Sequence, residues 1–294
     1  MALAGLGLTW SGDAHAQAWV GDKGSLDIGL DYNLGISKKI IGDSSLEFPN
    51  TGTTTHQVSL SAEFVPLPKL AVTVALPFVA LKYTGDKMNF PHPGGGSYDS
   101  GGTFTTLTDL RAGVRYQVLE EPFALAPHLA VSIPVANYEY IGNSVAGRHL
   151  KALHLGLSVG RQLGEASYVH LMYEFSLVEK FDRTPETKKH SQNRSDLGFT
   201  IGHRLLDQRL DIHLDANWRE THGGVNFTDF DTLSDNELLY HDVILNEDII
   251  LAGGGLGYQV SNSLSVNLAA RLFVKGHNTQ NASVFALGLA WSPL

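Results

Sequence analysis

The stretch SLDIGLDYNLGIS, residues 25–37, alternates without a break. Leu26, Ile28, Leu30, Tyr32, Leu34 and Ile36 fall on one side, and Asp27, Gly29, Asp31, Asn33 and Gly35 on the other. A two-residue period sends successive side chains to opposite faces of a strand, so the segment reads as a β-strand with one continuous apolar face. Working outward, the same pattern returns at 57–64, 70–78, 109–116, 125–133, 153–159, 169–177, 197–201, 210–218, 250–258, 264–274 and 285–291. That makes about twelve strands, most of them near the ~9–11 residues that a tilted membrane strand needs. No segment sustains a helical period.

The connections set the topology. Short turns follow alternate strands, at 65–69, 117–122, 161–166, 205–209 and 260–263. The intervening connections, 38–55, 84–103, 136–148, 179–194, 220–246 and the shorter 275–281, are polar and mostly long. Short turns at one end and long loops at the other are the layout of outer-membrane barrels, with the turns periplasmic and the loops extracellular. An even strand count puts both ends of the barrel at the turn side. Threading the strands up and down also sorts aromatics into two bands: Phe64, Tyr116, Phe123, Tyr258 and Trp291 by the turns, and Tyr83, Phe104, Phe175 and Trp218 by the loops. The expected fold is therefore all-β: a single antiparallel transmembrane barrel of about twelve strands.

Composition narrows the function classes. Of 294 residues, 17% are charged and 31 are Gly, against roughly 25% charged in soluble domains. Zero Cys excludes a disulfide scaffold, a thiolate metal site and a Cys nucleophile. With 21 Lys+Arg against 30 Asp+Glu, nucleic acid is not expected as a partner. A soluble β-sandwich or lipocalin-like barrel would also alternate, but its polar face would be a solvated surface rich in Lys and Glu. Here that face carries Gly, Ser, Asn, Asp, His and Arg. Residues 1–16 read as the remnant of a signal peptide, with a short apolar run and an A-x-A end at Ala14-His15-Ala16. The first Lys is Lys23, so a basic leader segment is missing, as a start site set too far downstream would explain. Residues 17–294 then form the barrel.

Four segments resemble bacterial outer-membrane barrels of the family named for the MetA pathway of phenol degradation. They are VALPFVALKY (74–83), TDLRAGVRYQVLEEP (108–122), LAVSIPVANYEY (129–140) and the closing FALGLAWSPL (285–294). The similarity runs over nearly all of 25–294. It implies a channel that passes small, often aromatic or hydrophobic, compounds. One departure is the last residue, Leu294 after Pro293, where the resemblance implies an aromatic residue that the outer-membrane assembly machinery reads; Trp291 is the residue expected to stand in for it.

If the apolar face meets lipid, the opposite face lines the lumen. Candidate lumen or selectivity residues are Asp109, Arg111, Arg115, Glu174, His170, Asp211, His213, Asp215 and Arg271, with Asp27, Asp31, Glu63, Asp196, Arg204, Arg219, His128 and His154 on the same side. Charges confined in a barrel pair or hydrate, because an isolated one is costly to desolvate. The plain expectation is a salt-bridge network. The sharper one is a constriction marked by Asp109, Arg111 and Arg115, as rings of charge mark pores. Asp211, His213 and Asp215 share one strand face and have metal-ligand chemistry, but mutual pairing is the simpler reading, so no metal is expected. His190 and Ser191 sit in a fragment reminiscent of outer-membrane lipases, yet as neighbours on an extended chain they point apart. Neither catalytic residues nor a cofactor is expected. The functional expectation is a non-enzymatic, narrow passive channel in the bacterial outer membrane, with lipid, a small solute and the assembly machinery as partners. The alternatives are a plugged barrel that presents its loops, and a lipase.

Overall fold

A computed structural model describes residues 18–43, 46–86, 99–138, 140–182, 190–226, 237 and 239–293. The expected leader at 1–16 lies outside the described residues, as do Leu294 and part of the Gly-rich 94–102 segment.

Twelve antiparallel strands close into a ring. In chain order they are β1 (Leu26–Ile36), β2 (Thr53–Leu67), β3 (Leu70–Tyr83), β4 (Thr103–Leu107 continued by Asp109–Tyr116), β5 (Ala124–Pro134), β6 (Ala152–Leu163), β7 (Ser167–Val178), β8 (Asn193–Leu205), β9 (Leu210–His222), β10 (Asp248–Ser261), β11 (Leu264–His277) and β12 (Ser283–Trp291). Each strand pairs with its sequence neighbours, and β1 closes the ring by pairing with β12 from Ile28↔Trp291 to Ile36↔Ser283. Closure pairs the strands on both sides, as a lipid environment requires; the Thr103–Leu107 piece of β4 pairs with β3 alone. The break in β4 falls at Thr108, whose N–H donates to the carbonyl of Pro77 on β3 at 3.0 Å.

The faces sort as the alternation requires. Leu60, Leu155, Leu171, Phe199, Leu214, Leu256, Leu268 and Leu287 are exposed, Leu214 at 66%. Asp31, Arg115, His154, His170, Glu174, His213, Asp215, Arg219 and Arg271 are buried. A continuous apolar exterior around a polar interior inverts a soluble protein, whose apolar patches stay within a few hundred Å². This is a membrane-spanning barrel of the outer-membrane class. Phe64, Tyr116, Phe123, Tyr258 and Trp291 form the turn-side aromatic band on the outside.

Tyr83 corrects the loop-side band. It is 1% exposed and points inward, donating its hydroxyl to the Asn50 carbonyl at 3.2 Å. At this end the inward face of β3 turns apolar (Val79, Leu81 and Tyr83 are all buried) because loop residues fill the lumen there. Part of the expected 38–55 loop is also ordered. Lys39–Ile41 pairs with Glu47–Pro49 and with Thr279–Gln280 in a three-stranded sheet at the rim.

Candidate functional site

Halfway along the lumen, the inward face of β4 presents Arg111 and Arg115 four residues apart. The Arg111 guanidinium forks onto Glu174 of β7, with Nη1 to Oε1 at 3.1 Å and Nη2 to Oε2 at 2.5 Å. β5 and β6 lie between those strands, so the pair is a chord across the barrel interior rather than a neighbour contact. Each intervening strand adds a histidine to the same carboxylate: His128 Nε2 at 2.9 Å from β5 and His154 Nδ1 at 3.1 Å from β6. His154 is held in turn by the hydroxyls of Ser132 and Ser176, both at 2.8 Å. Gly156 makes room for the His128 ring, because a Cβ there would run into it. Glu174 is thus a hub on which three strands converge.

Arg115 points the other way round the ring and donates from Nη2 to both oxygens of Glu63 on β2, at 2.7 and 2.8 Å. On the far wall, Arg219 Nε donates to Asp196 at 2.6 Å and Arg271 Nε donates to Asp215. Charged hydrogen bonds of this kind are stronger than neutral ones, and each stabilises a pair that would be costly to separate inside the barrel. Between these walls lies a cavity of about 200 Å³ lined by Arg111, Arg115, Glu63 and Glu174, by Met172 next to Glu174 on the inward face of β7, and by Ile249 and Leu251 of β10. Arg194, Asp196 and Arg219 complete its charged lining.

The other expected lumen residues fall outside this group. Asp109 sits nearer the loops and accepts the Tyr138 hydroxyl at 2.5 Å. Asp211 and His213 lie nearer the turns and pair with each other at 2.8 Å, with the Tyr168 hydroxyl donating to the same Asp211 oxygen at 3.1 Å. Because Asp215 turns instead to Arg271, the three share a face without converging. Among the described residues no group of three or more acids and histidines is placed to hold a metal. His170 faces inward as the register partner of Gly160 on β6.

The sequence reading missed the outer cap. Residues 140–150, a short helix α1 (His241–Ile244) and Phe181 fold into the loop end, burying Leu150, Phe181, Val243 and Ile244 together. Asp99 fastens the cap by accepting from Asn143 N–H at 3.0 Å, Asn143 Nδ2 at 2.8 Å and Ser144 Oγ at 2.6 Å. Arg148 reaches Gln192 at 3.3 Å and Glu247 at 3.5 Å. Burial pushes the Arg148 guanidinium below its ordinary pKa, and Glu247 pulls it back up. Loop residues carry no strand period, so alternation could not flag them. His190 pairs its backbone with Phe181 and turns Nε2 toward Glu237 at 3.9 Å.

No protein-family model and no curated protein matches the sequence. Solved structures do. An outer-membrane channel from Pseudomonas putida F1 superposes with a TM-score of 0.71 at 13% identity, over 94% of this chain and 98% of that one. The NanC porin gives 0.51 at 6% identity, over 89% and 98%. The β-domain of the Bordetella autotransporter BrkA gives 0.52 at 12% identity, over 92% and 100%. The shared property is the outer-membrane barrel fold. At these identities the likeness is one of fold.

Proposed function

We propose that the barrel is a narrow, passive, non-enzymatic outer-membrane channel for small uncharged or weakly amphipathic solutes. The observation that carries this reading is the mid-lumen cavity, where the ion pairs lie beside the apolar side chains Met172, Ile249 and Leu251. Its volume of about 200 Å³ is of the order that accepts a single aromatic ring, since an apolar cavity of ~150 Å³ binds benzene. Glu63, Glu174 and Asp196 are each bonded to a guanidinium, so little net field remains to select ions. The four cavity arginines against three carboxylates leave at most a mild preference for anions. Arg111, Arg115 and Glu174 form the constriction in this reading. Asp109, His170, Asp211, His213, Asp215 and Arg271 shape the lumen above and below it. The aromatic character of the solute rests on the sequence resemblance.

Liposome flux tests the proposal. The purified barrel should speed uptake of a small aromatic compound more than that of a charged sugar, and Arg111→Ala with Arg115→Ala should change the ratio. The packed outer cap favours a second reading, a rigid barrel that supports its loops. Flux no greater than in empty liposomes would select it.

A further inference from the structure

The histidine that braces Glu174 links two other groups in a fixed order. His154 of β6 places Nε2 2.8 Å from Ser132 Oγ of β5, and Nδ1 3.1 Å from Glu174 Oε1 of β7. The three side chains come from consecutive strands and face the lumen. Glu174, clamped by the Arg111 guanidinium, is a carboxylate and can only accept. The proton of a neutral His154 therefore sits on Nδ1. Nε2 is left bare, so the Ser132 hydroxyl must donate into it. A histidine that merely braced two wall serines would serve in either tautomer, and here the carboxylate selects one. Hydroxyl, imidazole and carboxylate in this order are what turn a serine into a nucleophile.

Two further observations bear on reactivity. Ser132 is partly exposed, whereas Ser176, whose hydroxyl lies 2.8 Å from Nδ1, is fully buried. The cavity also reaches this place: Ala130 lines it and shares the inward side of β5 with Ser132, one pleat repeat or about 7 Å away. Arg111 is the register partner of Ser132 on β4. Its guanidinium spends two of its five donors on Glu174 and keeps the others for an oxygen that develops charge beside Ser132.

We infer that Ser132 is an activated nucleophile, a covalent modification site in the lumen wall for small carboxylic esters that enter the cavity. Ser132 Oγ bonds to the ester carbonyl carbon as its proton passes to His154 Nε2. The carbon–oxygen bond to the leaving group then breaks, and the departing alkoxide takes that proton. Arg111 stabilises the oxyanion in between, and Glu174 positions His154. The product is the acylated chain and one alcohol. The inference goes beyond the channel reading, because passage does not need this bond and a reaction that stops at the acyl serine leaves the barrel non-enzymatic.

The test treats the full-length folded barrel in detergent with 4-nitrophenyl acetate and locates the acetyl group by peptide mass. Ser265, also partly exposed on the lumen side but on β11, is the internal reference. Ser132 should be acetylated at least about a hundredfold faster than Ser265, the scale of general-base assistance. His154→Gln should remove that advantage while keeping the folded, unboiled gel mobility. Glu174→Gln should slow the reaction and move the pH at which its rate is half-maximal, a change that loss of packing alone would not produce. Ser132 reacting no faster than Ser265 overturns the inference whether or not the variants fold. So does an undiminished rate in folded His154→Gln protein, or acetylation at Ser176 instead of Ser132, which would mean that the opposite tautomer is present. A slower reaction in Glu174→Gln with an unmoved pH profile removes Glu174 from the arrangement and overturns it as stated.

Discussion

Individual side chains in this barrel are judged by which of two solvents they face. Leu171, exposed on β7 beside the buried His170, meets lipid, and Ser265 lies on the same face of β11 as the buried Arg271, toward the lumen. Leu171→Arg should cost about 2–4 kcal/mol if it lies near the bilayer midplane, and Ser265→Arg much less. Urea unfolding of the barrel in lipid vesicles measures both, and equal costs would invert the assignment of faces. Glu174 is the opposite case. Glu174→Gln keeps the shape but strips the charge that Arg111, His128 and His154 share. Leaving a guanidinium without its carboxylate should cost about 2–3 kcal/mol in the same assay, toward the lower end for buried pairs because Arg111 retains access to the cavity. Alternation alone placed Glu174, Arg111 and Arg115 on the inward face. It could not pair them, because Arg111 and Glu174 meet across two intervening strands, and that distance closes only when the sheet curls into a barrel.

At the scale of elements, strands and loops were legible to different degrees. Every one of the twelve strands had its apolar side readable, because lipid outside and water inside impose one period on all of them. Their ends were less so: β2 begins at Thr53 and β3 runs to Tyr83, where polar or inward-facing apolar residues blur the pattern. The loops were read as extracellular and polar, and their inward packing was not visible. It depends on matches between distant segments, such as Val79 and Leu81 with Tyr138 and Ala146, which carry no local signal. One residue nevertheless carries several of the cap's hydrogen bonds. Asp99 accepts three hydrogen bonds from Asn143 and Ser144, so Asp99→Ala should remove about 2–4 kcal/mol of local stability. Hydrogen exchange at the amides of residues 142–146 should accelerate while the strand amides stay protected. Exchange unchanged at those sites would mean that the apolar packing and the remaining bonds, such as His241 Nε2 with Asn143 Oδ1 at 2.8 Å, hold the cap without Asp99.

Across the whole molecule, three groups of residues lie in series along the lumen: the outer cap, the ion pairs around Glu174 and the Ala18–Val20 segment, whose Trp19 ring lies against Gly160 of β6 at the turn end. Resistances in series add, so the most resistive segment governs conductance and relief of a lesser one changes little. If the proposed channel conducts and the cap and the turn-end segment contribute equally and each far exceeds the middle, abolishing either alone should raise single-channel conductance by at most about twofold, and abolishing both should raise it far more. Planar-bilayer recordings of Asp99→Ala, Trp19→Ala and the double variant test this pattern. A middle-limited route behaves differently: all three variants would stay near the parent, and Arg111→Ala with Arg115→Ala would supply the increase instead. A large gain from one end variant, with no further gain in the double, would assign nearly all the resistance to that end. The double variant reproducing the parent, with the arginine pair silent as well, would reject a continuous route through the barrel. The cap would then be the working surface and the ring of strands its support.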